Sequence, residues 1–245
     1  MEKTPLAGAA LILLLGVLTL LFFVHNTAAD PTGASFTSNI TSSASSTAPS
    51  GRADPRGTIT TLALDAVQQV QQWKAYVGNV TGRFTLDDAQ GYTIYDWDFG
   101  NTTVTGEVYA SRNNSVSWAS ITCANTTIIG QEESALNMTS SEPTSITNTF
   151  NETTHESFYV GATLISNSTC PSTFTYINST RQNVSETADF QEILLQSGST
   201  LVYATIIEDD LTGYRNTTTY DFQMLVGESD IAAAHTYYFY VELGS

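Results

Sequence analysis

The sequence has very few basic residues. Lys and Arg together contribute 8 of 245 residues against 24 Asp and Glu, which gives a formal net charge of −16 at pH 7. Nucleic-acid binding requires clustered cations that neutralise phosphates, and anionic lipid headgroups attract polybasic segments. The composition therefore excludes nucleic acid as a partner and disfavours binding to an anionic membrane surface.

Histidine is also scarce, and the motifs that usually carry catalysis are missing. The histidines are His25, His155 and His235, and the sequence contains neither a G-x-S-x-G nor an H-E-x-x-H motif. We therefore expect no enzyme activity, no catalytic residues and no cofactor. A secreted hydrolase assembled from scattered residues is retained only as a residual hypothesis.

The sequence contains two cysteines, Cys123 and Cys170. They are far apart, lie outside any C-x-x-C spacing and have no histidine nearby that would complete a metal site. In an exported chain this arrangement predicts one disulfide. Two free buried thiols are the alternative.

Acidic residues cluster at three places: Asp87 and Asp88, Asp96 and Asp98, and residues 208–210. The second cluster resembles half of a calcium-binding loop, but its glycine comes one position early and no bidentate Glu follows at the required distance. Solvated acidic turns are the simpler interpretation. A metal site is neither predicted nor excluded.

The longest apolar run covers residues 6–24 (LAGAALILLLGVLTLLFFV) and contains no charged side chain. About 20 helical residues span the hydrocarbon core of a bilayer, so this run predicts a membrane-inserting helix. Lys3 precedes the run and the next basic residue is Arg52, which favours an exported remainder. We expect a single N-terminal membrane anchor with the folded domain outside the cell. Cleavage near Ala29 and secretion is the alternative.

Asparagines that begin an N-x-[ST] acceptor are unusually frequent. Ser and Thr make up 63 of 245 residues, so chance would place about four of the 14 asparagines in such triplets. Eleven asparagines do so: Asn39, Asn79, Asn101, Asn113, Asn125, Asn137, Asn151, Asn167, Asn178, Asn183 and Asn216. The excess predicts N-glycosylation sites on an exported surface, and Thr/Asn-rich turns that form such triplets incidentally are the alternative.

The composition divides the chain into four segments: residues 1–29 as anchor or signal peptide, 30–57 as a disordered stalk, 58–78 as an amphipathic helix and 79–245 as a β-domain. Eleven of the residues from 32 to 50 are Ser or Thr, a composition typical of disordered stalks. Over residues 61–78, apolar residues recur at intervals of three and four, which predicts a helix. Its apolar stripe packs against the following domain or mediates self-association.

Ten short segments after residue 79 are rich in β-branched and aromatic residues and are separated by turn residues. This spacing predicts a β-sandwich of the immunoglobulin-like or jelly-roll type. Residues 201–207 are apolar on both faces and predict a central strand, and residues 131–138 predict a short helix or lid. The C-terminal strand at 235–243 is expected to lie in its own sandwich, with addition to a neighbour's open edge as the alternative.

Five segments carry a resemblance to a known group of proteins: WKAYVGNVTGRFTLDD, VSWASITCAN, FYVGATLI, TIIEDDLTGY and YDFQMLVGE…YYFYVEL. In these segments, which extend over about residues 73–243, the chain resembles uncharacterised archaeal exported proteins. The resemblance implies an archaeal cell-surface setting, and that group has no assigned catalytic residues to transfer.

The sequence therefore predicts a non-enzymatic cell-surface glycoprotein: a membrane-tethered β-sandwich that contributes to the cell envelope or to surface contact. A module that binds carbohydrate or another surface ligand is the alternative. The expected partners are the membrane, through the N-terminal helix, and either other copies of the chain or a surface ligand.

Overall fold

The computed structural model describes residues 30–41, 71–81, 83–98, 103–229 and 235–244. These residues form a mainly β structure, which confirms the predicted fold class at that level. The strands are β1 (Thr32–Gly33), β2 (Trp73–Gly78), β3 (Arg83–Asp87), β4 (Thr93–Asp98), β5 (Gly106–Ser111), β6 (Ile121–Cys123), β7 (Phe158–Val160), β8 (Thr163–Ile165), β9 (Ser172–Phe174), β10 (Gln191–Ser197), β11 (Thr200–Ile206), β12 (Leu211–Thr212), β13 (Thr219–Tyr220), β14 (Phe222–Gly227) and β15 (Tyr238–Leu243). The helices are α1 (Thr126–Ala135) and α2 (Ile146–Thr149). Residues 115–122 (SVSWASIT) are one of the ten segments predicted as strands, and a 3₁₀ turn at Trp118–Ser120 occupies part of it.

A seven-stranded antiparallel sheet is the centre of the fold. Its strand order is β1-β15-β5-β11-β10-β6, and β9 also pairs with β10. The pairs β2–β14, β3–β4, β7–β8 and β12–β13 form separate two-stranded sheets. The prediction of a central strand at residues 201–207 is confirmed, because β11 lies between β5 and β10.

The large sheet separates two apolar cores. The first core contains Val108, Ala110, Leu194, Leu201, Tyr203 and Phe239 from the sheet, together with Ile128, Ile129, Met224 and Val226 from α1 and β14. The second core contains Tyr109, Ile193, Leu195, Val202, Ala204 and Ile206 from the sheet, with Trp118, Phe158, Val160, Ile165 and Cys170 above it. Side chains alternate along a strand, so the run apolar on both faces in β11 supplies both cores at once.

Strands β6 and β9 lie end to end on the same edge of β10. At their junction, the Ala124 N–H donates to the Leu194 carbonyl at 3.0 Å, and the Leu194 N–H donates to the Pro171 carbonyl at 2.8 Å. The Cys123–Cys170 disulfide joins the end of β6 to the segment that enters β9, with 4.8 Å between the two Cα atoms. The predicted disulfide is confirmed, and it connects two short strands into one composite edge.

The prediction of a helix through residue 78 is wrong for its last part, because Trp73–Gly78 is strand β2 and pairs with β14. The ring of Trp73 lies 6.0 Å from that of Phe150, and the ring of Tyr76 lies 4.9 Å from that of Phe239. Aromatic side chains suit a sheet surface, and pairing with β14 outweighs a weak helical preference. Residues 58–70 lie outside the described residues.

The prediction of a disordered stalk over residues 30–57 is wrong at its start. Thr32 and Gly33 form β1 on the outer edge of β15, and the Ala34 N–H donates to the Phe239 carbonyl at 3.0 Å. Open strand edges accept any main chain, so this pairing needs no apolar side chains and leaves no hydrophobic pattern in the sequence. Residues 42–57 lie outside the described residues.

The apolar run at residues 6–24 also lies outside the described residues, so anchor and cleaved signal remain alternative predictions. In the part of the chain that the structure describes, no helix is both long and apolar enough to cross a membrane.

The predicted break between the cysteines is a helix, and it begins earlier than residue 131. Helix α1 starts at Thr126, where the Asn125 side-chain oxygen accepts a hydrogen bond from the Ile128 N–H at 3.0 Å. The C-terminal strand lies in its own sheet as expected: β15 pairs along its length with β5, and Phe239 is buried in the first core.

Candidate functional site

The acceptor asparagines of the described chain all lie on the surface. Ten of the eleven are described and each is exposed: Asn39, Asn79, Asn113, Asn125, Asn137, Asn151, Asn167, Asn178, Asn183 and Asn216. Asn101 lies outside the described residues. An exposed side-chain amide is what attachment of a glycan requires. Whether the sites carry glycans stays a prediction.

Three of the glycan-acceptor asparagines have side-chain hydrogen bonds of 3.1 Å or shorter. The Asn113 side-chain oxygen accepts from the Ser115 N–H at 3.0 Å, and its nitrogen donates to the Thr200 hydroxyl at 3.1 Å. The Asn125 side chain caps α1. The Asn167 nitrogen donates to the Glu186 carboxylate at 2.6 Å. The acceptors therefore differ in local geometry although their sequence motif is the same.

The disulfide is flanked by a buried histidine. The Nε2 atom of His155 accepts hydrogen bonds from the Thr169 and Cys170 N–H groups at 3.1 and 3.0 Å, and its Nδ1 atom lies 2.6 Å from the Glu156 carbonyl. These contacts are those of a neutral imidazole protonated on Nδ1, and burial lowers the pKa of His155. His155 therefore holds the backbone around Cys170.

The acidic turns bind main-chain N–H groups. Asp88 accepts from the Gln90 and Tyr92 N–H groups at 2.9 and 2.8 Å in the turn between β3 and β4. Asp209 accepts from the Val104 N–H at 3.1 Å. Within the described ranges, no group of three or more His, Cys, Asp or Glu residues is arranged to hold a metal ion.

The sequence did not indicate a pair of buried carboxyl groups, Glu107 and Glu242, which face each other across β5 and β15. The Glu242 carboxylate accepts from the Tyr109 hydroxyl at 3.0 Å and from the Gly161 N–H at 2.9 Å. Burial and the neighbouring Glu242 charge raise the pKa of Glu107 to about 8. Burial also raises the pKa of Glu242, but its two donors oppose that shift. As the pH rises, Glu242 is therefore the first of the two to ionise, and Glu107 keeps its proton until the pH approaches its pKa of about 8.

A surface ribbon made of β3 and β4 exposes large apolar side chains. The exposed fractions are 54% for Leu86, 73% for Tyr92, 65% for Ile94 and 53% for Tyr95. A two-stranded ribbon alone is marginally stable in water, and exposed apolar clusters often mark binding surfaces. No acceptor triplet begins between residues 80 and 100. The ribbon is therefore an apolar surface on which no glycan is expected.

A polar cavity of about 230 Å³ lies beside one acceptor and is lined by Arg112, Asn113, Glu132, Ser199, Thr200 and Leu201. The Nε and Nη2 atoms of Arg112 donate to the two Glu132 carboxylate oxygens at 2.6 and 2.8 Å. This bidentate pair joins β5 to α1. Sequence reasoning missed the cavity, because its residues come from three segments that only the sheet brings together.

Comparison with protein-family models, with curated proteins and with solved structures found no match to this chain.

Proposed function

We propose that this protein is a non-enzymatic cell-surface glycoprotein, tethered to the membrane by residues 6–24, whose domain contributes to the cell envelope or to surface contact. The observation that carries the proposal is the excess of acceptor triplets, which begin at eleven of the 14 asparagines where chance would place about four. Asparagine is usually exposed in folded proteins, and Asn114 and Asn148, which begin no triplet, are exposed as well. The exposure of every described acceptor therefore makes these sites accessible, and it is the excess of triplets that favours selection for glycan attachment.

Two further features support an exported location. The Cys123–Cys170 disulfide is the kind of bond that persists in oxidising compartments outside the cytosol. The β2–β14 ribbon packs on the large sheet through the first core, which suits the broad β-sandwich class. Immunoglobulin-like or jelly-roll topology and an archaeal source are the finer parts of this proposal.

Glycopeptide mapping of the native protein tests the proposal. We expect glycan masses at most of the ten described acceptors, because their amides are accessible. Asn114 is a matched control, since it adjoins an acceptor but does not begin a triplet. A native protein without any N-linked glycan would contradict the glycoprotein assignment.

The fractionation of native cells tests the tether. We expect the intact chain in the membrane fraction, with the domain open to protease from outside. A soluble protein whose N-terminus is Asp30 would instead establish cleavage after Ala29 and secretion. A chain found in the cytosol would contradict both forms of the proposal.

A second candidate function, binding of a carbohydrate or another surface ligand, is favoured by the exposed ribbon of β3 and β4. Tyr92→Ser with Ile94→Ser is expected to shift Tm by less than about 2 °C, because both side chains are exposed. The same variant is expected to reduce attachment of protein-coated beads to envelope polysaccharide at least tenfold, about 1.4 kcal/mol.

The matched control for this test is Tyr159→Ser with Leu164→Ser. These residues face each other on β7 and β8 and are 56% and 50% exposed. Equal attachment by the ribbon variant, the control and the unaltered protein would reject the ribbon as the binding surface.

A further inference from the structure

The cavity beside Asn113 lies at one end of the large sheet. Strand β5 ends at Ser111, and the turn from β10 to β11 brings Ser199 and Thr200 next to it. Helix α1 closes the third side through Glu132, which is fixed by Arg112. The cavity is thus built from three elements that the folded sheet holds in place.

The Asn113 side chain is oriented toward this cavity by its own hydrogen bonds. Its oxygen is engaged by the Ser115 N–H at 3.0 Å, so its nitrogen points the other way and donates to the Thr200 hydroxyl at 3.1 Å. The amide nitrogen has two N–H bonds. Attachment of a sugar replaces one of them, and the other remains able to donate to Thr200.

We propose that the first sugar of a glycan on Asn113 packs in this cavity and makes that glycan a structural part of the domain. The inference rests on the proposed glycoprotein function. In the attachment step the Asn113 nitrogen forms a bond to C1 of a lipid-phosphate-linked sugar, the C1–O bond breaks, and the phosphate leaves with its electron pair. The nitrogen loses one proton to solvent or base.

The chemistry of the lining suits one pyranose ring. Ser199 and Thr200 supply hydroxyl groups that both donate and accept, and Arg112 has five N–H donors, of which the pair to Glu132 uses two. The volume of about 230 Å³ admits one ring, so a longer glycan continues into solvent. Because Glu132 neutralises Arg112, the site recognises hydroxyl groups rather than a net charge.

The test compares two variants that each remove one acceptor triplet without changing its asparagine. Ser115→Ala removes the triplet at Asn113, and Thr218→Ala removes the triplet at the exposed Asn216. In full-length protein from a glycosylating host, we expect Ser115→Ala to lower Tm by about 3 °C and Thr218→Ala by less than about 1 °C. The same two variants made without glycans are expected to match the unglycosylated parent, which excludes an effect of the substitutions themselves.

A second measurement follows glycan release from the folded protein by an amidase that cleaves the Asn–sugar bond. We expect release at Asn113 to be at least tenfold slower than at Asn216, and Ser199→Phe, which fills the cavity, to remove that difference. Two results would overturn this inference and leave the glycoprotein function intact. One is a protein that carries glycans at other acceptors but none at Asn113. The other is release of the glycan at Asn113 as fast as at Asn216. The absence of glycans at every acceptor would overturn both.

Discussion

Reduction of the Cys123–Cys170 disulfide is expected to lower the free energy of unfolding by about 4 kcal/mol. The bond closes a loop with a sequence separation of 47, and a loop of that length loses much chain entropy in the unfolded state when it is cross-linked. The natural stability of a domain is about 5–15 kcal/mol, so this loss is a large share of the total.

Reduction is also expected to have a local effect at the junction between β6 and β9. The Ala124 N–H and the Leu194 N–H bracket the junction between β6 and β9, and both hydrogen bonds depend on the two strands staying end to end. We expect faster hydrogen exchange at these two amides in the reduced protein. Reduction substitutes no residue, so denaturant unfolding of the reduced and oxidised protein is a matched comparison. A difference below about 1 kcal/mol would contradict the prediction.

Raising the pH from 5 to 9 is expected to destabilise the domain by about 4 kcal/mol through Glu107 alone. Its pKa rises from 4.5 to about 8 in the folded protein, because the carboxyl group is buried and faces Glu242. The folded state therefore holds this proton at pH values where the unfolded chain has lost it. The stabilisation is complete below pH 4.5 and is lost as the pH rises through about 8.

The groups around Glu107 explain why it carries the proton. The Tyr109 hydroxyl and the Gly161 N–H donate to Glu242 and favour its ionised form. The negative charges of Glu242 and Glu156 then oppose ionisation of Glu107. Two carboxylates directly opposite each other in a sheet repel, so full ionisation of the pair weakens the pairing of β5 with β15.

Glu107→Gln tests this prediction, because glutamine resembles the protonated carboxyl group and cannot ionise. We expect the variant to be as stable as the parent near pH 5 and about 4 kcal/mol more stable at pH 9, as measured by urea unfolding. Glu152→Gln is the control, since Glu152 bridges to Ser172 and has no acidic residue opposite it. Parallel pH profiles of the Glu107→Gln variant and the parent would rule out Glu107 as the cause.

Local sequence patterns predicted where strands occur more successfully than they predicted which strands pair with each other. The C-terminal strand predicted at 235–243 and the two-sided apolar run at 201–207 correspond to β15 and β11. The helix predicted from the apolar spacing of residues 61–78 is wrong over β2. Spacing within one segment does not show that a distant strand, β14, pairs with it. No sequence pattern predicted β1, because its main-chain pairing with β15 requires no particular side chains.

In the candidate site, too, short motifs could be predicted from the sequence and the arrangement of distant residues could not. Acceptor triplets and cysteines are short motifs, so Asn113 and the Cys123–Cys170 bond could be anticipated from the printed residues. The cavity that adjoins Asn113 could not be anticipated. It requires Thr200 and Glu132, and these residues approach Asn113 through strand pairing and helix packing.

By itself, the sequence determined the β-rich class, the negative net charge, the two cysteines that could pair and the positions of the acceptor triplets, because each depends on composition or on a few adjacent residues. Only the tertiary structure decided that β6 and β9 form one edge, that Glu107 faces Glu242, and which acceptor lies beside a cavity. Those features depend on register between strands distant in sequence. A shift of one residue would turn each side chain to the opposite face, and no local pattern encodes that choice.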